Sequence, residues 1–113
     1  AKAELRAAQE ERGNAKAELE AAETQTEDAS AMLRAAQADQ DYWQQEIARM
    51  KRLLEAGAVT QEEFQREKAQ ARNADEKVNQ AQARLAQVKA QIRAAQSAVR
   101  KADAMLESAR FKI

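Results

Sequence analysis

Arg49-Met50-Lys51-Arg52-Leu53-Leu54-Glu55-Ala56-Gly57-Ala58-Val59-Thr60-Gln61-Glu62-Glu63-Phe64 is the stretch at which this chain turns back on itself. A helical run meets Gly57, whose missing Cβ suits the left-handed residue that closes a helix C-terminus. Three positions later Thr60-Gln61-Glu62-Glu63 has the spacing of a capping box: Thr60 can cap, and Glu63 can reach back. Val59 and Phe64 stand where a hydrophobic staple would brace the start of the second helix. The spacing predicts one helix over roughly 2–56, a turn at 57–59 and a second helix over roughly 60–112.

Outward from the turn, both arms carry a seven-residue ladder. The first arm has Leu5, Arg12, Leu19, Thr26, Leu33, Gln40, Ile47 and Leu54 in one phase, with Ala8, Ala15, Ala22, Ala29, Ala36, Trp43 and Met50 three positions on. The second has Phe64, Ala71, Val78, Leu85, Ile92, Val99, Leu106 and Ile113, with Thr60, Glu67, Ala74, Ala81, Val88, Ala95, Ala102 and Ala109 as companions. These are the a and d positions of heptads, and a period held at seven predicts a left-handed supercoil. The fold class expected is all-α, a two-helix antiparallel coiled-coil hairpin. At about 1.5 Å rise per residue, each arm would be ~80 Å long.

Side-chain size sets the register. If facing positions lie equally far from Gly57, Leu5 meets Ala109, Ala8 meets Leu106, Ala15 meets Val99 and Leu19 meets Ala95. Ala22 then meets Ile92, Ala29 meets Leu85, Leu33 meets Ala81 and Ala36 meets Val78. Bulk opposite methyl in nearly every layer fills the space between the helices without voids, whereas a shifted register stacks Leu on Leu and Ala on Ala. Glu23 falls near Lys89 and Asp39 near Lys77, pairs worth a few tenths of a kcal/mol that tune the register without creating it.

Composition bounds the function. The 113 residues include no Pro, Cys or His and only two Gly, as in long helices and coiled coils. Two helices bury only their seam, so no pocket able to enclose a substrate is expected. Without His or Cys there is no imidazole or thiolate metal site, and the carboxylates are spread over solvated faces, so neither catalysis nor a cofactor is expected. No apolar run approaches membrane-spanning length, so this segment is not expected to insert into a bilayer. Nineteen basic and nineteen acidic residues cancel, against sustained binding of a phosphate backbone.

The turn resembles the hairpin tip of periplasmic adaptor subunits, also called membrane fusion proteins, of tripartite efflux pumps and related secretion systems. Their tip pattern is Arg, Leu four residues on and Ser seven further; Arg49 and Leu53 match it. Thr60 stands where Ser is usual, keeping the hydroxyl and adding a methyl. The likeness extends to Leu53-Leu54-Glu55-Ala56-Gly57-Ala58-Val59-Thr60, to Gln61-Glu62-Glu63-Phe64 and to the Ala/Gln-rich heptads of both arms.

It implies that Arg49, Leu53 and Thr60 dock on the periplasmic end of an outer-membrane channel, and that copies pack side by side in a ring of six. It also implies a periplasmic location and a link to an inner-membrane transporter through domains absent here. Those are a split lipoyl domain and a β-barrel domain, lying before Ala1 and after Ile113. With no initiator Met and an abrupt end, the chain is expected to be a segment of such a longer adaptor.

The residues support a tip contact without the likeness. Tyr42, Glu46, Arg49 and Leu53 share one stripe beside the seam, where Arg supplies several hydrogen-bond donors and Leu apolar area. The plainer alternative is that Leu53 covers the last seam layer and Arg49 is merely solvated. Arg12, Thr26 and Gln40 interrupt the first ladder opposite Ala102, Val88 and Ala74, either to discourage wrong registers or to mark where neighbouring hairpins touch. Trp43 opposite Ala71 and Met50 opposite Phe64 read as packing anchors, and Met32 and Met105 as edge residues open to lateral contact. Two other functions compete with the adaptor: a plain coiled-coil spacer or dimerisation element, and a nucleic-acid-binding helical arm.

Overall fold

A computed structural model describes residues 2–112, and Ile113, expected on the second ladder, lies outside them. Two helices account for almost everything described: α1 spans Lys2–Glu55 and α2 spans Gln61–Phe111. The chain is a two-helix antiparallel coiled-coil hairpin. The composition makes the helices long, because Ala, Gln, Glu, Lys, Arg and Leu all have high helix propensity and no Pro interrupts them.

Each side of the turn is closed by the device its sequence called for. The amide of Ala58 donates to Leu53 O at 2.8 Å and that of Gly57 to Leu54 O at 3.0 Å, while Gly57 has φ 76°. This pair of bonds is the Schellman arrangement, which satisfies α1's last carbonyls. Across the turn, the Glu63 amide donates to Thr60 Oγ1 at 3.1 Å, so Thr60 is the N-cap and α2 begins one residue later than expected. The reciprocal bond, in which the Thr60 amide would donate to the Glu63 carboxylate, is absent among the described residues. Phe64 is buried and Val59 half-buried on either side of the cap.

The residues pack as two compact units. The terminal unit joins the chain up to Asp28 with the chain from Ala86 onward, and the turn unit is Ala29–Leu85. In the terminal unit Ala8, Leu106 and Ala109 form one buried cluster with Leu5 packed against it, which is the expected register. Ala15, Ala22, Val88 and Ala102 continue that seam, and Val88 is wholly buried. In the turn unit the buried set is Ala29, Met50, Phe64, Ala74, Val78 and Ala81.

Every buried residue in both units lies on one of the two ladders. Ala29, Ala81 and Ala109 are buried, whereas the Leu85, Leu33 and Leu5 that face them are half-buried. A Leu that reaches over an opposing Ala hides the methyl beneath it and leaves its own outer edge in water. The chain accordingly exposes 8065 Å², against ~6,200 Å² for a globular protein of the same mass.

Polar groups in the first ladder are satisfied within the hairpin. Arg12 Nε donates to Asp103, and Gln40 Nε2 donates to Asp75 Oδ1 at 2.8 Å. In both cases the acceptor is the residue immediately after the Ala that the polar side chain faces. Thr26 Oγ1 instead donates to Ala22 O of its own helix at 2.9 Å. Arg12 and Gln40 thus discourage wrong registers, because any slip would strand them away from their carboxylates. The flanking pairs expected at Glu23 with Lys89 and Asp39 with Lys77 do not close among the described residues. Cross-arm ion pairs do close between Arg12 and Asp103 and between Glu4 and Lys112. At exposed flanking positions the Coulomb gain is too small to immobilise two long side chains.

Candidate contact site at the turn

Arg49, Leu53 and Thr60 do not form one cluster. Arg49 and Leu53 line a shallow groove with Met50, Val59, Glu63, Arg66 and Glu67, and Thr60 lies outside that lining. Leu53 is half-buried in the groove wall, and its carbonyl accepts the Ala58 amide. Thr60 is exposed, and its hydroxyl oxygen already accepts the Glu63 amide.

Arg49 is held before any partner arrives. Its Nε donates to Glu46 Oε2 at 3.1 Å, and a terminal guanidinium nitrogen donates to Glu46 Oε1. This two-point grip fixes the plane of the guanidinium while the Arg49 side chain remains 53 % exposed. Glu46 is far less accessible, and the bonds from Arg49 hold its carboxyl below the usual carboxylate range. The same partner raises the Arg49 guanidinium, with a smaller contribution from the charge of Glu67.

Glu67 is the residue that pattern reading undervalues. It stands on the companion ladder of α2, and its Oε2 is buried without a hydrogen-bond partner. A carboxylate in a seam position is itself the signal, since every other companion position of α2 beyond the cap is Ala or Val. A donor able to reach this oxygen would relieve an unmet bond. Beside the groove, Tyr42 is exposed and meets the Trp43 ring edge-on with centroids 5.2 Å apart. Lys68 Nζ lies 5.6 Å from the centre of the Phe64 ring and covers the staple from outside.

The concavities elsewhere are open grooves along the helices rather than enclosed cavities. Among the described residues no group of three or more His, Cys, Asp or Glu is placed to hold a metal ion. No described helix is long and apolar enough to cross a membrane. Comparison with family models, curated proteins and solved structures finds no match.

Proposed function

We propose that the chain is the α-helical hairpin of a periplasmic adaptor, a binding and bridging module whose turn docks on an outer-membrane channel. The observation that carries this reading is Arg49: a guanidinium fixed in orientation by Glu46, still half-exposed, beside the apolar wall supplied by Leu53. An Arg oriented in advance loses little freedom on binding, and so suits recognition of carbonyls or carboxylates on a partner. The Schellman turn and the Thr60 cap support the reading by making the end of the hairpin rigid.

On this reading Thr60 acts mainly through its capping oxygen and presents its methyl to the partner. Side-by-side assembly of copies, six in the full-length protein, belongs to the same reading, as do a periplasmic location and attachment to an inner-membrane transporter through other domains. No catalytic, cofactor-binding, nucleic-acid-binding or membrane-inserting role is proposed for this segment.

A photo-reactive residue at position 49, in cells carrying the full-length protein, tests the proposal. The expected result is a cross-link to an outer-membrane channel subunit, identified by mass spectrometry. Cross-links only to other copies of the same protein would favour the plain spacer or dimerisation element.

A further inference from the structure

The two sides of the terminal unit differ in chemistry. One is polar: by heptad position Lys16, Arg93, Gln96 and Arg100 flank the seam on the side of the Arg12 and Asp103 pair. The other carries two alanine-floored grooves spaced two heptads apart. The first has Ala7 and Ala8 of α1 facing Ser108 and Ala109 of α2; the second has Ala21 and Ala22 facing Ala94 and Ala95. Beside the first groove Met105 is 48 % exposed, a large flexible apolar side chain next to small ones.

Charge is segregated along the same side. Glu4 and Glu11 rim the first groove and Glu18 the second from α1, while Lys101 and Lys112 rim the first from α2. The turn unit, taken by itself, repeats the arrangement: an alanine-lined groove, Met32 at 63 % exposure, Asp39 from α1 and Lys77 from α2.

We propose that this grooved side is a self-association surface, on which a second copy of the chain lies face to face and parallel, its α1 over the α2 of the first. Charge decides the orientation. A two-fold axis running along the helices puts the acidic rim of each copy over the basic rim of the other. An axis across the helices puts α1 over α1, acid on acid, and α2 over α2, base on base. Like charges so opposed disfavour that arrangement.

In the parallel pair, Met105 of each copy lies over Ala7, Ala8 and Glu11 of the other. There an unbranched thioether fills the space that two methyl groups leave open. A two-fold pair closes on itself, so this contact is separate from the side-by-side assembly proposed above. It uses no residue of the turn, so it holds equally for a plain dimerising coiled coil and can fail or stand independently of channel docking.

The chain has no cysteine of its own, which makes single-Cys variants unambiguous. Met105→Cys and Glu11→Cys proteins, mixed and oxidised, should give chiefly the 105-to-11 disulfide dimer, while Gln96→Cys on the polar side stays uncross-linked. Predominant 105-to-105 linkage, or linkage through position 96, would overturn the arrangement. In sedimentation velocity, Glu11→Lys with Glu18→Lys should weaken self-association about tenfold or more. Mixing that variant with Lys101→Glu/Lys112→Glu protein should restore it. Circular dichroism of each variant checks that the helices persist. A wild-type chain that sediments as a monomer up to roughly 1 mM, or a charge-swapped mixture that fails to recover, would sink the proposal.

Discussion

The terminal unit and the turn unit are built on the same heptads yet do different work. The terminal unit is a seam of alanines facing half-buried Leu5, Leu19, Ile92 and Val99 and buried Leu106, with Val88 also buried and Arg12 bound to Asp103 as its polar register mark. The turn unit places bulk in its seam, Met50 and Phe64 buried and Trp43 half-buried, and fixes its backbone with two caps. A repetitive small-residue seam specifies alignment with little burial. Large anchors and caps hold one end rigid enough to present Arg49 in a set direction.

The two glycines show the same contrast. Gly57 takes φ 76°, which L side chains rarely adopt, whereas Gly13 sits inside α1 with open space where a Cβ would go. One is demanded by the turn, and the other is a helix residue with no side chain to lose.

Substitutions sharpen or break this comparison, measured as stability by chemical denaturation of the wild-type chain and each variant. Phe64→Ala should have the largest effect, about 3 kcal/mol, by emptying the anchor layer beside the cap. Leu106→Ala in the terminal unit should cost less, about 2 kcal/mol, because removing the smaller side chain leaves a smaller cavity. Equal losses would mean that the bulky anchors add nothing to the turn unit beyond what a Leu layer gives the other.

The glycines should respond with opposite signs. Gly57→Ala destabilises by about 1 kcal/mol through its left-handed backbone. Gly13→Ala stabilises by about 0.5–1 kcal/mol, because Ala restricts the unfolded chain and propagates the helix. Thr60→Ala should cost about 1 kcal/mol through the lost cap, with Thr60→Ser close to neutral because the capping oxygen remains.

The smallest expected effect is on pH dependence. The Glu46 carboxyl is held below its ordinary value of 4.5, so its stabilisation is present above that value and is lost as pH falls through the lower folded one. Glu46→Gln should therefore remove a small part of the acid-side loss of stability. An unchanged acid limb would mean that the Arg49 grip contributes nothing to the fold.

Much of this molecule was legible in its sequence because heptads and caps are local signals. Each ladder position could be checked against its neighbours, and the alternation of Leu with Ala left one register. Gly57 and Thr60 announced the turn for backbone reasons that hold in any fold. The side-chain partners were less legible. Glu23 and Lys89 are near in register but stay apart, whereas Arg12 finds Asp103, because rotamers and solvent decide such pairs rather than spacing. At the turn, Arg49 and Glu46 were visible as neighbours on one stripe. Their two-point bond, the buried oxygen of Glu67 and the separation of Thr60 from the groove depend on side-chain placement that no periodicity encodes.

The central claim is that alternating large and small side chains select one alignment of the arms. Paired cysteines test it most directly within the turn unit, where the register sets Ala29 opposite Leu85. Ala29→Cys with Leu85→Cys should form an intramolecular disulfide readily under mild oxidation, while Ala29→Cys with Val78→Cys, one heptad out of register, should not. Equal closure of both pairs, or closure of the shifted pair alone, would contradict the account.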